Sequence, residues 1–446
     1  MARTSRCVAG LMGLSVLAAG CVRGAPPGAA DGLLAHPASY GSGFSAAERQ
    51  QAERYLAEAA TLCARDGGRL WGISLCGPIA IVDPTTHAVA TNEPPPAAQP
   101  PAAFGYANAA LDWGGRRWTT VMWQQLAAAE QAGYGARSLM MHELFHRIQP
   151  QLGLLLPDSH NDHLDTVEGR YWMLLEWRAL DKALQNSGSS RTGAVRDALA
   201  FRAARRAAFP QAADNERVAE VNEGLAEYTG IVTATPSRDA WAGAAVQRLK
   251  MVLAQRSFVR SFAYGSGPAY GVLLESLRPG WTRQFTATDD LSSMLMAAAG
   301  LQPSADIEAA AARFGGAELR VREEARETER RARVADIRRR FIDGPVLVFP
   351  PAHSYAFAGD VTPIGDAGSV YPGFRAHVEW GTLEAAEVLI AADGSTVTVP
   401  APTRSEGSRL TGDGWTFTLA PGWAVRPGPR SGDLQVARVD TPPPPR

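Results

Sequence analysis

Lysine is almost missing from this 446-residue chain: of its 44 basic residues, only Lys182 and Lys250 are not arginine. Alongside so much alanine, glycine and proline, that skew reads as nucleotide bias, so arginine richness alone carries little weight. The formal net charge is −1, which removes the basic footprint of a nucleic-acid binder, and no nucleic acid is expected as a partner. The four cysteines are too few for a disulfide-dense scaffold. The apolar run from Val8 to Ala19 is too short to span a bilayer. Histidine is scarce as well, at eight residues, so an organised histidine pair stands out.

Such a pair occurs in Met140-Met141-His142-Glu143-Leu144-Phe145-His146-Arg147-Ile148-Gln149-Pro150. At about 100° per residue, His142 and His146 fall within roughly 40° of each other on one helix face and can reach one metal ion. Glu143 sits beside them. A zinc ion held this way lowers the pKa of a water towards about 7 and needs a neighbouring carboxylate to take the proton. Met140, Met141, Leu144, Phe145 and Ile148 form the opposite, apolar face, and Pro150 closes the helix. The alternative is an ordinary amphipathic helix with two polar histidines.

At the N-terminus, Arg3 and Arg6 precede the apolar run. Leu17-Ala18-Ala19-Gly20-Cys21 resembles a bacterial lipoprotein cleavage box, with the leucine one place further from the cysteine than usual. Residues 1–21 are therefore expected to be a signal peptide, with lipid on Cys21 anchoring the chain to a membrane of the cell envelope; a plain secretory signal is the alternative. Residues 22–42, rich in Ala, Gly and Pro, read as a tether. Cys63 and Cys76 remain for the exported domain, as one bridge worth about 3 kcal/mol or as two buried thiols.

From Phe44 to Arg65 the pattern is helical. β-type runs follow at Leu70 to Leu75, Ile79 to Val82, Ala88 to Thr91, Ala107 to Trp113 and Arg117 to Gln124, separated by Gly-Pro and Asp-Pro turns. Trp118 to Trp123 is either a sheet edge open to an extended peptide or an internal strand. Leu164 to Leu184 and Ala194 to Phe209 read as an αα-hairpin around Asn186 to Ser190. His160 and His163 lie just before it in a polar loop, with spacing that matches no face of the first site.

Next comes Val221-Asn222-Glu223-Gly224-Leu225-Ala226-Glu227-Tyr228. On a helical wheel Glu216, Glu220, Glu223 and Glu227 share one face, where like charges need either water or a cation; the default is a solvated face. Glu223 and Glu227 are one turn apart, so the first can bind zinc while the second accepts the outer N–H of a ligating imidazole.

Together, His142-Glu143-x-x-His146, Asn222-Glu223-Gly-Leu-Ala-Glu227-Tyr, and Tyr264-Gly-Ser-Gly267 running on to Leu274-Glu275, resemble the gluzincin metallopeptidases, especially the aminopeptidase N and leukotriene A4 hydrolase branch. The resemblance covers about residues 107–280. It implies zinc held by His142, His146 and Glu223, with Glu227 supporting a histidine, Glu143 as general base and Tyr264 stabilising the tetrahedral intermediate. The gap from His146 to Glu223 far exceeds the family's spacer, and no Gly-x-Met-x-Asn exopeptidase strand precedes the helix. Glu168 lies nearer the usual spacing and is the reserve ligand.

After a short helix from Leu291 to Ala299, a charged helix is expected from Ala317 to Ile342, solvated rather than partner-binding, with Arg338-Arg339-Arg340 as a solvated turn. Beyond Gly344-Pro345 the runs Val346 to Phe349, Arg375 to Trp380, Glu387 to Ala391 and Trp415 to Leu419 read as a small β domain, and 441–446 as a disordered tail. The expected fold is α+β: a thermolysin-like, gluzincin catalytic domain over 43–343, with mixed sheet, active-site helices and a helical hairpin insertion, then a β domain over 344–440. The leading expectation for function is a zinc metallopeptidase acting on a peptide or protein. A catalytically silent zinc lipoprotein and a zinc hydrolase of a non-peptide substrate are the alternatives.

Overall fold

The computed structural model describes residues 43–439, apart from 102, 106, 134, 354, 359 and 360. The signal peptide, Cys21, the tether and the tail lie outside the described residues. No described helix is long and apolar enough to cross a membrane. The chain mixes helix and sheet, as an α+β reading requires, and divides into two compact units with the boundary between Glu323 and Glu324.

The first unit opens with helix α1, Ala46–Asp66. Ser45 and Glu48 form a reciprocal capping box at its start, and Gly67, in the left-handed region, ends it. Its last turn is tied by a Cys63–Cys76 disulfide. Strands β1 Ile79–Asp83, β2 Ala88–Thr91, β3 Ala109–Trp113 and β4 Arg116–Met122 form one sheet in the order β2-β1-β4-β3, in which only β1 and β4 are parallel. One expectation fails here and one open alternative is decided. Leu70 to Leu75 is not a strand: Gly68 and Gly72 take positive φ, and Asp66 accepts from the N–H groups of Gly68 and Leu70, so local turns satisfy this backbone. Trp118 to Met122 is internal rather than an edge, because β1 takes one side of β4 and β3 the other.

Helices α2 Trp123–Gln131 and α3 Ala136–Ile148 follow directly, so Trp123 and Gln124 are helical, not the end of a strand. The expected hairpin is α4 Val167–Gln185 and α5 Gly188–Ala208. Its connection is shorter than the polar run suggests. Asn186 Nδ2 donates to the Lys182 carbonyl and Arg191 Nε to the Ala183 and Asn186 carbonyls, which caps α4 and lets α5 begin at Gly188. Then come α6 Ala212–Ala219, a π-helical turn over Glu220–Gly224, α7 Leu225–Ala234, α8 Arg238–Leu253, α9 Phe262–Leu277, α10 Leu291–Ala299, α11 Ile307–Arg313 and α12 Gly316–Arg338. One continuous core holds the apolar face of α3 (Met140, Met141, Leu144, Phe145, Ile148) together with Trp71, Trp177, Tyr228 and Trp281.

In the second unit, β5 Val346–Phe349, β6 Thr362–Pro363, β7 Ser369–Val378, β8 Gly381–Ile390, β9 Val397–Pro400, β10 Arg404–Glu406, β11 Arg409–Gly412, β12 Trp415–Leu419, β13 Trp423–Pro427 and β14 Leu434–Arg438 join in one sheet around Phe349, Phe374, Trp380, Leu383 and Phe417. The end of α12 is not the solvated rod that its charge suggests. Ile337 and Phe341 are buried with Ile364, Val370 and Leu389, while Arg333 and Arg340 both reach Glu387. Arg339 and Arg340 are likewise paired, both with Asp336.

Candidate metal centre

Helix α3 is buried on almost every side, so its polar residues must find partners inside the protein. They meet the π turn and α7. His142 Nε2 lies 3.1 Å from His146 Nε2, and Glu223 Oε2 lies 3.5 Å from the first and 3.6 Å from the second. These three residues form a group able to hold a metal ion.

Hydrogen-bond accounting shows why a cation suits the position. His142 Nδ1 faces Glu227 Oε2 at 3.0 Å, and a carboxylate only accepts, so that nitrogen carries the proton. Gln149 Nε2 donates to the carbonyls of Leu154 and Val221, which turns its Oε1 towards His146 Nδ1 at 2.9 Å and makes that nitrogen a donor too. With both imidazoles neutral, the two Nε2 lone pairs and a carboxylate oxygen point into one small space, and three acceptors are stable together only around a positive charge. Four-coordinate zinc with ligand bonds of about 2.0–2.1 Å needs neighbouring donors roughly 3.3 Å apart, and the three separations bracket that length. The donor set therefore fits.

Protonation moves in the same sense. Burial works against charged imidazoles, yet bonds to Glu223 and Glu227 carry His142 up to about 10, and Glu223 raises His146. Burial would also raise Glu223, but His146 and His142 overcome it and hold that carboxyl well below its usual range. In other words, the pocket gathers positive charge beside a committed carboxylate.

Around this triangle stand two groups that are not ligands. Glu143, 2 % exposed, has Oε1 held at 2.8 Å by Asn108 Nδ2, while Asn108 Oδ1 accepts from the Met122 N–H at 2.8 Å. Burial raises the Glu143 carboxyl above its ordinary value, against the pull of His142, His146 and Asn108. The Tyr264 hydroxyl donates to Glu223 Oε2 at 2.6 Å, and its ring stacks on His142 with centroids 5.7 Å apart. Burial, then Glu223, push its phenol well above 10, so it stays a donor.

The structure thus brings His142, His146, Glu223, Glu227, Glu143 and Tyr264 together. It leaves out the other polar candidates. His163 Nε2 is taken by Glu216 Oε1 at 2.9 Å, the His160 carbonyl accepts from Asn215 Nδ2, and Glu168 pairs with Arg320. Three contributors escaped sequence reasoning: Asn108, Gln149 and Arg248, whose Nε lies 2.7 Å from Glu227 Oε1. Gln149 alone had a sequence signal, one turn past His146 at the end of the same helix.

The wheel of four glutamates needs correction. Glu216, Glu220 and Glu227 are buried, not solvated, and the π turn divides the four. Its wider winding turns the residues that follow Glu220 away from the line of the preceding helix, so Glu216 and Glu220 face the arginines of α5 while Glu223 and Glu227 face the histidines. Gly224 meets Gly267 of α9 there; a Cβ on Gly267 would sit 2.3 Å from the Gly224 Cα, so only paired glycines let α9 bring Tyr264 this close.

No family model, curated protein or solved structure matches this chain.

Proposed function

We propose that this protein is a zinc-dependent hydrolase of the gluzincin type that cleaves peptide bonds. The observation that carries the reading is the convergence of three acceptors, His142 Nε2, His146 Nε2 and Glu223 Oε2, with a buried non-ligand carboxylate and a tyrosine hydroxyl at their side. Zinc retention needs only the three ligands; Glu143 and Tyr264 are groups that chemistry needs. The order of the His-Glu-x-x-His, Asn-Glu-Gly-Leu-Ala-Glu-Tyr and Tyr-x-x-Gly motifs supports the same family.

Zinc held there would polarise a scissile carbonyl and acidify a water near neutral pH. The chain supplies the rest. Glu143 accepts the water's proton and hands it to the departing amine, with Asn108 keeping the carboxylate in place. Tyr264 donates to the oxygen that gathers negative charge. Glu227 and Gln149 fix the two imidazoles in the tautomer that presents Nε2 inward. A peptide is the substrate class favoured by the sheet: β3, which begins one residue after Asn108, is paired only with β4 among the described residues, and its other edge can take an extended chain. The N-terminal cleavage box supports attachment through Cys21 to a membrane of the cell envelope. Purified protein on a peptide library, with and without a chelator, tests the reading; fully zinc-loaded protein that cleaves no peptide would sink it.

A further inference from the structure

Between the second histidine and the third ligand the chain leaves the metal centre, runs out along α4, returns along α5, and only then enters the π turn. That excursion carries two arginines into the interior. Arg202 and Arg205 are no more than 2 % exposed, and so are the carboxylates they hold. Arg202 grips Glu220 with both ends of its fork, Nη1 to Oε2 at 2.9 Å and Nη2 to Oε1 at 2.7 Å, while its Nε reaches Glu176 Oε1 at 2.7 Å. Ser266 Oγ, two residues past Tyr264, donates to Glu220 Oε1 at 2.6 Å. Glu220 is the first residue of the π turn, and Glu223, the third ligand, lies inside it.

We infer that Arg202 is a positioning residue for the metal site, acting through Glu220 to hold the π turn that aims Glu223 at the two histidines. The inference rests on the reading that His142, His146 and Glu223 bind a metal. A π turn is rare in a helix and persists when its surroundings over-determine it. Here it is pinned at both ends: Glu220 by the bidentate guanidinium and the Ser266 hydroxyl, and Gly224 by its contact with Gly267. In an unbroken α-helix Glu220, Glu223 and Glu227 would share one face. The arginine claims Glu220 for the hairpin side and so forces the extra residue that turns Glu223 the other way. Relaxation to α-helical register would rotate the third ligand about the helix axis and dismantle the triangle of acceptors. The long excursion between the ligands is on this view a built part of the metal site.

The test measures metal affinity rather than turnover. Zinc affinity is determined by competition with a chromophoric chelator, and the visible spectrum of the cobalt(II) form reports ligand geometry, for wild type, Arg202→Lys, Ser266→Ala and Glu323→Gln. Lysine keeps the charge but loses the fork. Glu323→Gln breaks a different buried pair, Arg170 Nε to Glu323 Oε2 at 2.7 Å, and controls for general loss of stability. Arg202→Lys should weaken zinc by at least about 10-fold, the scale of an outer-shell ligand partner, and change the cobalt spectrum. Ser266→Ala should move both readouts in the same direction by less, and it decides the matter if Arg202→Lys does not fold. Glu323→Gln should keep wild-type affinity however much it destabilises the protein. Wild-type affinity and spectrum in folded Arg202→Lys or Ser266→Ala, or an equal loss in Glu323→Gln, would overturn this inference alone. Wild-type protein that binds no zinc would overturn the metal-site reading and this inference with it.

Discussion

Asn108 gives the sharpest test of how the base is held, because it touches Glu143 and no ligand. Its side chain bridges the Met122 N–H and Glu143 Oε1, each at 2.8 Å, in a site 2 % exposed. In Asn108→Ala the Met122 N–H is buried without its partner, which costs about 1–3 kcal/mol; at roughly 2–4 °C per kcal/mol for a large unit, thermal unfolding should fall by several degrees. Turnover should fall by about 10-fold or more, since the base is no longer fixed within reach of its proton, while zinc content stays at one per chain. Asn108→Asp separates geometry from charge. It keeps the acceptor for Met122 but sets a second carboxylate against Glu143, so the pair must share a proton and the acid limb of the rate profile should move to higher pH. The assays are metal analysis, thermal unfolding and kcat across pH. Asn108→Ala with full zinc and wild-type kcat, or Asn108→Asp with a wild-type pH profile, would refute the assignment of Glu143 as a base held by Asn108.

Further outcomes follow from the same geometry. Glu143→Gln should keep zinc and lose turnover by about 10²-fold or more, because an amide accepts no proton. In metal-free protein the same change should stabilise the fold: burial raises the Glu143 carboxyl above its ordinary 4.5, so its ionisation opposes folding as pH rises through the raised value, and the gain should be present at pH 7 and absent well below 4.5. Equal unfolding temperatures of metal-free wild type and Glu143→Gln at pH 7 would contradict this. Tyr264→Phe should keep zinc and lose roughly 10²–10³ in kcat, and wild-type turnover would remove its role as oxyanion donor. Glu223→Ala should lose the metal while Glu168→Ala keeps it; the reverse in metal analysis would reassign the third ligand. Cys21→Ala should abolish lipid attachment and processing at that position; a variant that mass spectrometry and fractionation show still processed and membrane-bound would refute the anchor.

How much of this was legible beforehand depended on how local each signal was. His142, Glu143 and His146 lie within five positions of one helix, and the spacing alone puts them side by side. Glu223 and Glu227 follow from their one-turn spacing and from motif order, and Tyr264 from motif order alone. The hairpin, α10 and the first and last β runs of the second unit follow from periodicity, since each buries an apolar face that the sequence displays. Asn108 and Arg248 were not legible. Each is a single polar residue whose role is set by a partner 35 or 21 positions away, at Glu143 and Glu227, and nothing nearby marks it.

The failures share a physical cause, which is that a local pattern was read without the partner that would decide it. Leu70 to Leu75 carries strand-like residues, but Gly68, Gly72 and the Asp66 carboxylate settle its backbone into turns. The four glutamates form a single stripe on an ideal wheel, and exposed charge is the usual fate of such a stripe. Two features reverse it. The guanidiniums of Arg202 and Arg205 meet Glu220 and Glu216 in the interior, where a lone carboxylate would not stay ionised, and the π turn breaks the wheel between Glu220 and Glu223. Arginine frequency in so Arg-rich a chain does not mark the first feature, and a wheel of 3.6 residues per turn does not contain the second. A buried arginine therefore bears on the metal site only through the helix it holds out of register, so the third ligand and the hairpin that precedes it have to be considered as one structural unit.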